Sequence, residues 1–234
     1  MLDAMTYTAL LLDLDHTLLD SDASEALAFE QALASEGVVD PARYLPAYHQ
    51  INRALWAQVE RGEIAQSHLR TARFAQLVET TGISASPAAL ADAFTHGLGA
   101  YGELYPGVRE VLDALAAEPT VSLALVTNGL SEVVRARIRR LDLGRYFHMI
   151  AISSELGTAK PAPAIFERTL AGLGSPARHA ALVVGDSLSS DIQGGRNAGI
   201  ATCWYNPHRR PCDRDDLVDH EIATLEALLA IVRS

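Results

Sequence analysis

The sequence predicts an α/β protein, a doubly wound parallel sheet whose first crossover connection carries a long helical insertion. Three observations carry that expectation. Short apolar, β-rich runs bounded by turn residues recur at Thr8 to Leu14, Val121 to Thr127, Met149 to Ser153, Ala180 to Gly185 and Ile200 to Tyr205. Helical periodicities separate them, and alternating strands and helices are the signature of a parallel sheet with helices on both faces. More than 100 residues lie between the first strand and the second, where one crossover helix would suffice.

Taken in order, the first run, LLLDLD from Leu10 to Asp15, is apolar until its end, as befits a central strand covered on both sides. The insertion reads as amphipathic helices at Ala23 to Ser35, Leu45 to Glu60, Ser67 to Thr81 and Pro87 to Tyr101. They are punctuated by Gly37, Pro41, Gly62 and Gly82, with no strand pattern between them. Residues 21–102 are therefore expected to form a helical cap hinged near Asp20 and Tyr105, and residues 1–20 and 103–234 the core. A lid over a strand-end site is a common means of excluding water. The remaining helices are expected at Val108 to Ala117, Ser131 to Leu141, Pro163 to Ala171, Ser189 to Ala198 and Leu225 to Val232.

Composition narrows the function classes. The 234 residues are 49% hydrophobic, enough for one sizeable core plus an insertion. A net charge of -10 disfavours a nucleic-acid polymer or an anionic membrane as partner. No apolar segment approaches the roughly 20 residues of a membrane span, and Asp13 and Asp15 interrupt the run nearest the N-terminus, so a cytoplasmic location is expected. Cys203 and Cys212 form no CxxC or Cys/His cluster and read as reduced structural thiols. Of 19 basic residues, 18 are arginine and one, Lys160, is lysine. A compact ammonium on a thin stem fits a tight site that a planar guanidinium does not.

Four polar signatures fall at the carboxyl ends of the expected strands or in the loops beyond them: Asp13-Leu-Asp15-His-Thr17, Thr127-Asn-Gly129, Lys160-Pro161, and Gly185-Asp186-Ser-Leu-Ser-Ser-Asp191. That edge is where ligands bind in a parallel α/β sheet. Four carboxylates in one crevice would repel and some would protonate unless a cation intervened. All the candidate ligands are oxygens, which favours magnesium over zinc. Asp13 and Asp15 share a face if both lie in the strand. If the strand ends at Asp13, their roles differ, one a nucleophile and the other a proton carrier.

In order and spacing these residues resemble the four motifs of the haloacid dehalogenase-like hydrolase superfamily, over essentially the whole chain and with the cap at the first insertion point. The resemblance implies a Rossmann-like core and a division of labour. Asp13 would attack phosphorus to form an aspartyl-phosphate; Asp15 would protonate the leaving alcohol and then activate water. Thr127, the Asn128 amide and Lys160 would hold phosphate. Asp13, the Asp15 carbonyl and Asp186 would bind magnesium, supported by Ser187 and by Asp191, which binds through a metal water or orients Lys160. True dehalogenases of this superfamily resemble Asp-x-Tyr in the first motif, so Asp15 favours an oxygen leaving group.

The finer resemblance is to the pyrimidine 5'-nucleotidase branch. It rests on INRALWAQVERGEI (Ile51 to Ile64), TNGLSEVVRARIRR (Thr127 to Arg140), SSELGTAKPAPAIF (Ser153 to Phe166) and GDSLSSDIQGGRNAGIATCWYNP (Gly185 to Pro207). It implies a small phosphate ester such as UMP, dUMP or dTMP as partner, for a monomer or homodimer. The alternatives are a phosphatase for phosphoglycolate or a sugar phosphate, a 2-haloacid dehalogenase, and a phosphorylatable signalling domain. Asn52 and Trp56, one helical turn apart, either line a base pocket or fill the cap core. Arg135, Arg137, Arg139 and Arg140 are expected on a solvated helix face. His208, Arg209 and Arg210, between Pro207 and Pro211, read as an exposed loop able to approach the cleft. His16 reads as a turn residue rather than a metal ligand, at a position where the superfamily most often has glycine.

Overall fold

The computed structural model describes residues 7–212 and 214–233. Strand β1 (Ala9–Leu12) leads into helices α1 (Ser21–Ser35), α2 (Leu45–Glu60), α3 (Gln66–Thr81) and α4 (Pro87–Ala100). There follow α5 (Val108–Ala116), β2 (Ser122–Thr127), α6 (Ser131–Arg140), β3 (Met149–Ile152), α7 (Ser153–Leu156), α8 (Pro163–Gly172), β4 (Ala181–Gly185), α9 (Gln193–Asn197), β5 (Ala201–Tyr205), β6 (His220–Ile222) and α10 (Ala227–Arg233). Residues up to Asp20 and from Glu103 onward form one compact unit, and Ser21–Gly102 form another.

The first unit is the expected α/β sandwich. Its strands pair in parallel in the order β3-β2-β1-β4-β5-β6, so the direction of winding reverses at β1. Strand period dictates the packing, because successive side chains point to opposite faces. Leu10 and Leu12 join Val108, Leu112, Leu123 and Val184 in one apolar layer, while Ala9 and Leu11 join Ala124, Val126, Phe166 and Val183 in the other. Each buried leucine contributes about 1.5–3 kcal/mol. In α5, Val108, Val111, Leu112 and Leu115 fall at helical spacing and are all buried, which is why that segment is a helix and which face it presents inward.

Three details depart from expectation. The sheet has a further strand, β6, whose HEI sequence carries one apolar residue. It forms because it pairs with Cys203–Tyr205, buries Ile222, and shares a hydrogen bond of 2.9 Å between His220 Nε2 and the Tyr7 hydroxyl. Ser153, expected to end β3, instead starts the one-turn helix α7. Residues 189–198 do not form one helix: a single π turn over Leu188–Ile192 precedes α9. The glycine pair explains the tight seat of α9, since a Cβ on Gly194 would lie 2.5 Å from the Phe166 ring and one on Gly195 2.7 Å from Thr202 Cγ2.

The second unit is wholly helical among its described residues, with a short 3-10 turn at Pro41–Tyr44 between α1 and α2. Its centre is aromatic: Tyr48 lies 4.6 Å from Phe29, 5.5 Å from Phe94 and 5.9 Å from Phe74, centroid to centroid. The Tyr48 hydroxyl donates to Glu25 Oε1 at 2.5 Å and accepts from Arg73 at 3.1 Å. Burial, reinforced by Glu25, holds the phenol's pKa well above its ordinary value. Asn52 is buried and donates to Glu25 Oε1 at 2.6 Å, which places it in this unit's polar core beside Tyr48. No described helix is long and apolar enough to cross a membrane.

Candidate active site

The sheet edge concentrates the polar signatures. Strand β1 ends at Leu12, yet the Asp13 N–H still donates to the Val184 carbonyl at 2.9 Å, fixing the aspartate at the seam between β1 and β4. That seam is where the strand order reverses, the usual ligand crevice of a doubly wound sheet. Beyond it the chain turns sharply. His16 sits at φ 60, a left-handed conformation open to few residues but glycine, and its N–H closes the turn on the Leu19 carbonyl at 3.0 Å. This explains why glycine suits the position.

Lys160 is the hub. Only 4% of the residue is exposed, and its ammonium donates to Asp13 Oδ1 at 2.5 Å, Asp191 Oδ1 at 2.6 Å and the Val126 carbonyl at 2.9 Å. An ammonium has three N–H bonds, so each meets an acceptor. The Asn128 side chain holds the lysine's main chain from both sides, accepting from Lys160 N–H and donating to Lys160 C=O, each at 2.8 Å. Thr127, at the end of β2, is buried to 1% exposure.

Asp13, Asp186 and Asp191 each offer a carboxylate oxygen, all within 4.8 Å of one another. Ser187 builds this corner: its N–H donates to Asp191 Oδ2 at 3.1 Å, and its Oγ caps the π turn by accepting from Ser190 N–H. Burial, opposed by Lys160 and reinforced by the neighbouring carboxylates, drives the Asp13 carboxyl well above the usual range. Burial and then Asp191 push Asp186 up to about 6, against the pull of His16, Arg210 and Lys160. Burial opposes the charge on Lys160, but Asp13 and Asp191 more than offset it, and the ammonium holds its proton more tightly than an ordinary lysine. Three ionised carboxylates and one ammonium leave two negative charges. A hard divalent cation would cancel them, and the all-oxygen donor set fits one.

The Asp15 side chain stands apart from that trio. Its Oδ1 accepts from Arg137 Nη1 at 2.7 Å. Arg137 is therefore not on a solvated face: it is 3% exposed, whereas Arg139 and Arg140 on the same helix are exposed. The signal was in the sequence, since Val133, Val134 and Ile138 occupy the buried stripe of α6 and Arg137 falls in phase with them. A second arginine also reaches the site. Asn206 accepts from Arg210 N–H and donates to its carbonyl, both at 2.9 Å, folding the Pro207–Pro211 loop back. Arg210 then donates to the Asp186 carbonyl at 2.8 Å, beside a 2.9 Å bond from Trp204 Nε1 to the same oxygen.

A family model described as haloacid dehalogenase-like hydrolase matches residues 7–199. The chain belongs to the haloacid dehalogenase-like hydrolase family. Relatives within reach of this hydrolase include the pyrimidine 5'-nucleotidase PynA of Streptococcus pneumoniae, 36% identical over 225 residues that cover 96% of this chain and 94% of PynA. The pyrimidine 5'-nucleotidase YjjG of Escherichia coli is 33% identical over 206 residues, covering 88% of this chain and 89% of YjjG. Among solved structures, YfnB from Bacillus subtilis bound to magnesium superposes with a TM-score of 0.89 at 31% identity, over 97% of this chain and 98% of that one.

Proposed function

We propose that this hydrolase is a magnesium-dependent phosphomonoesterase acting on pyrimidine nucleoside 5'-monophosphates such as UMP, dUMP and dTMP. The observation that carries the reading is the buried Lys160 ammonium set between Asp13 and Asp191 at the reversal point of the sheet. The activity named for PynA and YjjG supports the substrate class. Asp13 and Asp186, with the Asp15 carbonyl, would hold the ion, Asp191 lying within reach. Bound magnesium would supply the missing positive charge and polarise a phosphoryl oxygen.

The chain's own groups account for the rest. A carboxylate oxygen of Asp13 attacks phosphorus as the P–O ester bond breaks, and the ester oxygen takes the Asp15 proton to leave as the nucleoside hydroxyl. Asp15, now a carboxylate, takes a proton from water; that water's oxygen attacks phosphorus, releasing phosphate and restoring Asp13. Lys160, the Thr127 hydroxyl and the Asn128 main-chain amide would stabilise the charge spread over the transferring phosphoryl. The helical unit 21–102 would act as the cap that selects the substrate.

The test is phosphate release from a panel of pyrimidine monophosphates, sugar phosphates and phosphoglycolate, with halide release from 2-haloacids as a parallel arm. Pyrimidine monophosphates should be cleaved with magnesium and spared with chelator, and Asp13→Asn should abolish turnover. Efficient cleavage of another ester with all pyrimidine monophosphates left intact would overturn the substrate assignment; halide release would overturn the reaction class.

A further inference from the structure

Helix α6 begins just after the Thr127-Asn-Gly129 loop, and of its four arginines Arg137 alone is buried, alongside the apolar residues Val133, Val134 and Ile138. A buried guanidinium is costly unless it is paired and hydrogen-bonded. Its Nη1 donates to Asp15 Oδ1 at 2.7 Å, across 122 positions of sequence. Asp13 is served by Lys160 and Thr17, while Asp15 accepts from Arg137. The two aspartates of the first motif thus have separate cationic partners.

We infer that Arg137 is the positioning residue for proton transfer by Asp15, holding that carboxyl group in place and stabilising the charge it acquires as the leaving oxygen is protonated. The inference rests on the phosphomonoesterase reading above. A guanidinium cannot itself give up a proton in this role, so the transferred proton belongs to Asp15. As Asp15 passes that proton to the ester oxygen, the electron pair of its O–H bond stays on the carboxylate, and the negative charge appears 2.7 Å from a fixed positive group. Preorganised charge of this kind acts where charge develops in the transition state. In the second half of the reaction the same pair keeps the carboxylate in position to take a proton from water.

Leaving-group chemistry separates this role from a structural one. A nucleoside 5'-hydroxyl must be protonated to leave, whereas p-nitrophenolate is a far weaker base and leaves without help. The experiment compares kcat/KM of wild type, Arg137→Met and Arg137→Lys on UMP and on p-nitrophenyl phosphate, since kcat/KM reports the step in which the leaving group departs. For Arg137→Met, kcat/KM on UMP should fall by about 100-fold, the scale of general acid catalysis, and on p-nitrophenyl phosphate by less than about fivefold. Arg137→Lys keeps a cation in the same volume and should recover part of the loss on UMP alone. Equal losses on both substrates, or no loss on either, would overturn the inference. If Arg137→Met does not fold, the Lys variant still decides, because a purely structural defect lowers both substrates together. Absence of UMP cleavage by the wild type, with p-nitrophenyl phosphate still cleaved, would instead count against the nucleotidase reading; repeating the comparison on the best alkyl phosphate then decides the role of Arg137.

Discussion

Lys160 shows how one residue ties the site together. Its ammonium divides three bonds among Asp13, Asp191 and the Val126 carbonyl, in a space that leaves 4% of the residue exposed. Arginine keeps the charge but brings a planar fork with five donors, which this enclosure cannot satisfy. Lys160→Arg is therefore expected to lose activity by about two to three orders of magnitude, read as phosphate release. Lys160→Met should lose activity too and also destabilise the fold by about 3–5 kcal/mol in chelator, because it strands buried carboxylates. A near-normal rate for Lys160→Arg would show that the ammonium's shape is immaterial. This residue was legible in advance because its chemistry demanded a type the rest of the chain avoids. Arg137 was not, because four arginines within ten residues of α6 look like a solvated stripe. Only the helical phase of Val133, Val134 and Ile138 marks one of them as inward-facing.

At the scale of elements, the turn after β4 is built around a missing side chain. A Cβ on Gly185 would lie 2.2 Å from Asp191 Cγ. Asp191 has no easy retreat, since Lys160 holds one of its oxygens and the Ser187 N–H the other. Gly185 itself is locked in register with Trp204 of β5. Gly185→Ala should therefore cost about 1–3 kcal/mol in denaturant melts and lower kcat by at least about tenfold through the displaced lysine. Wild-type turnover with unchanged stability would mean that Asp191 moves aside freely. The strands and helices that build this region were legible where apolar periodicity ran for at least four residues. Strand β6 was not, because a three-residue edge strand is held by its pairing with β5 rather than by its own pattern. The π turn at Leu188–Ile192 escaped for a related reason: sequence periodicity does not distinguish it from the start of α9, and Ser187 and Asp191 shape it through side-chain bonds.

At the scale of the molecule, the clustered carboxylates of Asp13, Asp186 and Asp191 load the fold with charge. Without a divalent cation beside them, burial first and the neighbouring carboxylates after push the Asp186 carboxyl up to about 6 and the Asp13 carboxyl well above its ordinary value. An unfolded chain releases those protons near the ordinary carboxylate range, about 3.9. Between the two values the native state binds more protons than the unfolded one, so stability falls as pH rises through that window and stays low above it. A divalent cation held by the ionised carboxylates, as proposed above, would reverse the trend, because it would compete with protons for them. With free magnesium at about 100 times its dissociation constant, binding adds about 2.7 kcal/mol, or about 5–10 °C in melting temperature for a chain of this size. The expected result is a gap between the melting temperatures with magnesium and with chelator that is small at pH 5 and widens towards pH 7.5. Isothermal titration should show magnesium affinity falling about tenfold per pH unit below 6 for each proton displaced. A gap that stays constant across this range, or narrows as pH rises, would place the cation somewhere other than the Asp13, Asp186 and Asp191 carboxylates.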